Sequence, residues 1–205
     1  MAFKGSFRAL NILIWAALGS AIVVPIMVAA ASPLLAWRDP IYIAAGFAGV
    51  IAMGLLLIQP LLAAGLLPGV SLMRGRRVHR WIGAGLVIAV IIHVAALWIT
   101  SPPDVIDAFL LRSPTPFSIW GVIAMWAVFV SALLVSMRHK MRLNPRQWRL
   151  AHKALAATIV LGSVVHALLI DGTMGTVSKA VLCALVLAAT AKAIVGLRRK
   201  TSRAR

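Results

Sequence analysis

The sequence predicts an all-α fold: an integral membrane bundle of six helices with both termini cytoplasmic. Three observations lead there. Of 205 residues, 62% are hydrophobic and only 12% are charged, too few to coat a water-soluble domain of this size. The apolar residues gather into six runs long enough to cross a hydrocarbon core, which takes about 20 residues at about 1.5 Å rise each. The short alternating segments that mark a membrane β-barrel are missing.

The first run, Leu10–Ala31, follows Lys4 and Arg8 and so has the outline of a secretory signal. Its apolar stretch is longer than a signal core, and it is read as a retained helix kinked at Pro25. An outer link, Ser32–Pro40, leads to the second helix, Ile41–Leu66. A cytoplasmic loop, Leu67–Arg77, precedes the third, Val78–Ile99. The longest link, Thr100–Pro116, carries four prolines and is predicted to form a partly ordered cap over the outer face. The fourth helix, Phe117–Met137, the loop Arg138–Gln147 and the fifth helix, Trp148–Ile170, follow. Asp171–Thr176 joins the last helix, Val177–Leu197, to a basic tail, Arg198–Arg205. A single domain, residues 1–205, accounts for the chain. The one cysteine, Cys183, falls mid-helix and reads as a small packing residue. Alone, it rules out an internal disulfide or a multi-cysteine metal site.

A net charge of +17 raises the question of nucleic acid, and the positions of the cations answer it. With the N-terminus inside, eighteen of the twenty-one Lys and Arg residues fall on the cytoplasmic side, and only Arg38, Arg112 and Lys179 fall outside. All four acids, Asp39, Asp104, Asp107 and Asp171, also fall outside. This is the positive-inside asymmetry of a multi-pass protein of the inner (plasma) membrane. The partner implied is the lipid bilayer, with no nucleic acid. Each cation near anionic lipid contributes about 1 kcal/mol.

Four histidines carry the functional signal. His79 and His93 lie on the third helix, and His152 and His166 on the fifth; both pairs are fourteen residues apart. Fourteen residues of α-helix turn through about four full turns and rise about 21 Å, so both histidines of a pair share one face at different depths. Two such helices set face to face make two His–His pairs, His79 with His152 and His93 with His166. Imidazole is a neutral nitrogen donor, and two of them complete the coordination of a haem iron. Ionisable residues inside a membrane are costly and mark function. A lone membrane histidine is as often a packing residue, but two pairs with identical spacing are hard to reach by chance. The cofactor expected is therefore two haems b, with His79, His93, His152 and His166 as the metal ligands and no catalytic residue in the usual sense. His139, among cations in RHKMR, reads as a solvated loop residue.

Other candidates have ordinary explanations beside the functional one. Each paired histidine has a small residue four positions toward the membrane centre, namely Gly83, Ala89, Ala156 and Gly162. These suit a macrocycle, and equally suit close helix packing. Arg77, Arg80, Arg149 and Lys153 flank the inner histidines, where they can pair with haem propionates or simply anchor the helices. Arg112 is a candidate for neutralising the outer haem, or a solvated loop cation. Trp98, Trp120 and Trp148 sit at predicted interfaces, where tryptophan collects anyway, and the deeper Trp126 is the candidate for haem packing.

The two helices RRVHRWIGAGLVIAVIIHVAAL and WRLAHKALAATIVLGSVVHALL, third and fifth of six, resemble the ferric reductase-like transmembrane domain shared by ferric reductases and the membrane part of NADPH oxidases. The chain is also similar to the haem subunit of the bacterial methionine sulfoxide reductase system. The resemblance implies an inner haem on His79 and His152 that takes electrons from the cytoplasm. It implies an outer haem on His93 and His166 that delivers them to an external acceptor. Larger members carry their own flavin module. No Gly-rich phosphate loop after a strand occurs here, so the donor expected is a separate cytoplasmic flavoprotein or quinol. A cytochrome b561-type or dehydrogenase membrane-anchor cytochrome b exchanging electrons with quinone is the alternative. A cofactor-free transporter fits least, because four histidines with so few intramembrane acids make a poor ion pathway.

Overall fold

Most helix starts are written locally. Asp39 caps α2 (Pro40–Ala64), its carboxylate accepting from the N–H groups of Ile41 at 2.7 Å and Tyr42 at 3.4 Å. Ser71 caps α3 (Leu72–Thr100) by accepting from Arg74 N–H at 3.3 Å. Asn144 caps α6 (Pro145–Leu169), accepting from Arg146 and Gln147, both at 2.9 Å. Proline opens α2, α6 and α5 (Pro116–Ser136), at the position where a missing N–H costs nothing. Gly65 ends α2 at φ 66°, a left-handed turn that a side chain would oppose. The remaining helices are α1 (Ala2–Ala30), a short α4 (Pro102–Phe109) and α7 (Thr176–Ser202). These come from a computed structural model that describes residues 2–202 except 139, 141 and 143, with side chains described over residues 8–196.

Six of the seven helices are long and apolar enough to cross a membrane, and no strand occurs among the described residues, so the chain is an all-α six-helix membrane bundle. The spans match the predicted runs with shifted ends. α3 begins at Leu72, so Arg74, Arg76 and Arg77 are helical rather than part of a loop. α7 continues to Ser202, past the predicted end at Leu197. The proline-rich outer link is partly ordered, as expected, and contains α4. α1 stays helical through Pro25. His139 lies outside the described residues.

α2 pairs with α3 and α5 with α6, as two antiparallel hairpins. α7 packs on both α2 and α6, and α1 lies outside against α2 and α7. On α7, Leu182 and Val186 are fully buried, with Cys183 beside them as expected. Large apolar side chains such as Ile88, Ile91 and Ile92 on α3 point outward, where lipid is the solvent. α3 and α6 do not pack along each other's length. What they share is the histidine face. At the middle of the bundle Leu86 and Ile159, each midway between its helix's two histidines, are buried in the common core with Leu56 and Val128.

Candidate functional site

The structure brings the four histidines together in the pairs expected from spacing. The His79 and His152 ring centroids are 6.3 Å apart with planes at 80°, and those of His93 and His166 are 6.4 Å apart at 85°. The first pair lies toward the basic end of the bundle and the second toward the far end.

Each imidazole is held by the helix next to its own. His93 Nδ1 is 2.7 Å from the Ala45 carbonyl on α2, and His166 Nδ1 is 2.9 Å from the Phe117 carbonyl on α5. His79 Nδ1 lies 3.1 Å from the Gln59 carbonyl on α2, and His152 Nδ1 lies 3.2 Å from Ser131 Oγ on α5. A carbonyl can only accept, so three of the rings donate through Nδ1–H, and Ser131 can accept from the fourth in the same way. That tautomer leaves each Nε2 with a free lone pair, as in a metal-ligating histidine whose other nitrogen donates to a supporting group.

The supporting carbonyls are reachable because of the residue four positions on. A helix carbonyl points toward the next turn, so a side chain at i+4 covers it. At the far end those residues are glycines. A Cβ on Gly49, four after Ala45, would come within 3.3 Å of His93 Nδ1. A Cβ on Gly121, four after Phe117, would come within 2.7 Å of His166 Nδ1. At the basic end the residue four after Gln59 is Ala63, also small, and it lines the adjoining cavity. Gly49, Gly121, Ser131 and Gln59 were not evident as site residues in the sequence, because their role depends on which helix lies alongside.

That cavity, 1190 Å³, opens around His79 and His152. It exceeds the roughly 300–1,000 Å³ of a drug-sized pocket. Gly83 and Ala156 line it, and so do all four cations named from sequence, Arg77, Arg80, Arg149 and Lys153. Ala89 is buried, but Gly162 serves another purpose: its missing Cβ would meet the Trp120 carbonyl at 3.0 Å, so it permits close packing of α6 on α5. Trp126 does not pack at the site; it is 56% exposed and meets Phe129 edge-on. Trp98 and Trp120 are exposed, and so is Arg112. Trp148 is the tryptophan that matters. Its ring stacks on His152 at 5.4 Å and 3° between planes, and the Arg138 guanidinium lies over it, 4.5 Å from the ring centroid. Two polar groups lining the cavity, Trp148 Nε1–H and the Thr190 hydroxyl, are buried without a hydrogen-bond partner.

Chemically, each pair offers two neutral nitrogen donors. Among the described residues no three His, Cys, Asp or Glu side chains converge, so neither pair is joined there by a third ligand of those types. Two imidazoles alone make a weak cage for a bare ion, and they suit a metal whose remaining positions are filled by a macrocycle.

No curated protein and no solved structure matches the chain. The family model described as ferric reductase like transmembrane component matches residues 45–163, a stretch that begins at the carbonyl supporting His93 and takes in His79, His93 and His152. Over more than half its length, with paired histidines on facing helices of a six-span bundle, the chain belongs to the ferric reductase-like transmembrane component family.

Proposed function

We propose that this chain is a di-haem b-type cytochrome. It would carry electrons across the membrane from a cytoplasmic donor, a flavoprotein or quinol, to an acceptor on the outer side. Membership of the family supports a membrane electron-transfer role. The observation that carries the finer reading is the spacing of the rings. An imidazole nitrogen lies about 2.0 Å from the metal it ligates and about 1.1 Å from its own ring centroid, so two rings sharing one metal have centroids roughly 6.2 Å apart. The two pairs measure 6.3 Å and 6.4 Å.

His79 and His152 would hold the haem nearer the cytoplasm, and His93 and His166 the one nearer the outer face. When bound, haem iron supplies a one-electron carrier. The chain's residues do the rest. The Ala45, Gln59 and Phe117 carbonyls and the Ser131 hydroxyl fix each ring's tautomer and orientation. Arg77, Arg80, Arg149 and Lys153 line the cavity with positive charge suited to propionates. Trp148 Nε1–H and the Thr190 hydroxyl remain available as donors to the same carboxylates. Leu86, Ile159, Leu56 and Val128 keep the space between the two layers dry. The gathering of eighteen of the twenty-one Lys and Arg residues on one side of the spans supports a cytoplasmic placing of both termini in the inner (plasma) membrane.

Oxidised and dithionite-reduced spectra of the detergent-purified protein, with a pyridine haemochrome assay, test this reading. Low-spin b-type bands with two haems per chain are expected. One haem per chain would overturn the two-site assignment. None, after expression with ample haem, would return the histidines to packing.

A further inference from the structure

Lys179 is 8% exposed at the far end of the bundle, near the start of α7, the least favourable place on a helix for its own cation. Its side chain turns toward α6 instead. Nζ donates to the Ile170 carbonyl at 2.5 Å and to the Leu168 carbonyl at 3.3 Å. Leu168 lies in the last turn of α6, and Ile170 is its C-cap. These are carbonyls that a helix end leaves without intrahelical donors. A lysine ammonium carries three donors and no acceptor, and here carbonyls take its hydrogen bonds, so no carboxylate in that contact cancels its charge. Asp171, the acid nearest in sequence to Ile170, is exposed. The other outer cations, Arg38 and Arg112, are exposed too, so Lys179 alone of the three is held in low dielectric.

The position of its partners gives this charge a target. His166 precedes Leu168 by two residues and Ile170 by four, which at about 1.5 Å per residue is roughly 3 Å and 6 Å along α6. We infer that Lys179 is a positioning and tuning residue for the far-end haem, clamping the end of α6 that carries His166 and favouring the reduced state there. This rests on the haem reading above. Reduction adds one negative charge at the iron, and a fixed, poorly screened cation nearby stabilises that form over the oxidised one. The basic-end pair, about 21 Å along the helices, feels it far less. The consequence is local: an electron at the far end lies lower in free energy than it would without this cation.

The test is a spectroelectrochemical redox titration of the purified holoprotein, its Lys179→Gln and Lys179→Arg variants, and His79→Ala to assign the two midpoints. Glutamine keeps a donor for the carbonyls without the charge. If Lys179→Gln does not accumulate, Lys179→Met supplies a second neutral side chain of similar length. The expected result is a fall of roughly tenfold in the far-end reduction equilibrium, about 59 mV for one electron, with the basic-end midpoint unmoved and arginine restoring the native value. Two native midpoints with no shift in the neutral variants, or an equal shift of both, would overturn the tuning role and leave the haem assignment standing. A native protein without haem would overturn both.

Discussion

Replacing Gly121 with alanine adds one methyl group where the structure leaves no room. Its Cβ would stand 2.7 Å from both Nδ1 and Cε1 of His166, and 3.3 Å from Cγ. Ordinary carbon contacts begin near 3.5 Å, so the ring must retreat by roughly 0.8 Å or turn. It cannot do so and keep the 2.9 Å hydrogen bond from Nδ1 to the Phe117 carbonyl. Losing that bond costs about 1 kcal/mol, and the overpacking about 1–3 kcal/mol more. Losing the group that orients a ligating histidine typically weakens metal binding about 10–100-fold. Gly121→Ala should therefore fall from two haems per chain toward one, with His79 and His152 still loaded. The assay is haem per chain by pyridine haemochrome on monodisperse protein, with circular dichroism to verify helix content. Gly49→Ala, whose Cβ would approach His93 Nδ1 only to 3.3 Å, should lose less. Gly19→Ala, with nothing within 4 Å, should lose nothing. Two fully low-spin haems in Gly121→Ala would refute both the ligand assignment at His166 and the shielding role of the glycine.

His152→Ala should remove the same low-spin signal as His79→Ala and spare that of the far-end pair; loss of different signals would break the pairing. Gly75→Ala places a Cβ 2.8 Å from the Leu62 carbonyl, backbone against backbone, so it should destabilise the α2–α3 hairpin by about 1–3 kcal/mol, read as a lower midpoint of thermal unfolding in detergent. Trp148→Leu removes the ring stacked on His152 and should shift the electron paramagnetic resonance signal of one haem while leaving the other; two unchanged signals would mean the stack does not orient the ligand. Reporter fusions at both ends should read cytoplasmic, and a periplasmic reading at either would reverse the direction assigned to the chain.

The spans and the histidine pairs were legible because each depends on one helix at a time. Hydropathy measures what lipid accepts, and a fourteen-residue spacing fixes a shared face wherever the helix lies. Helix ends were less legible for the same reason. The α3 backbone goes on bonding past the hydrocarbon edge, so Arg74 and Arg77 are helical although no lipid-facing run includes them. Ser71, three residues before Arg74, was the available signal. Trp126 was chosen on depth alone, which does not say what a side chain meets; on α5 it is more than half exposed and meets Phe129 rather than a histidine. The glycines at 49 and 121 and the carbonyls behind them needed knowledge of which helices are neighbours. Lys179 looked like one of three outer loop cations, and burial under the end of α6 separates it from the other two.

The helix-to-helix bonds that hold the rings follow one rule: α2 supports both histidines of α3, and α5 supports both of α6. Each hairpin is thus a cassette bearing two pre-oriented imidazoles, and the two cassettes run in the same direction through the bundle. The architecture is that of two half-sites fused in tandem, with the α4 segment as the splice. Among the described residues, each hydrogen bond to one of the four imidazoles stays within its own cassette. Two co-expressed fragments, 1–110 and 111–205, should then reassemble around shared cofactors, as a dimer would.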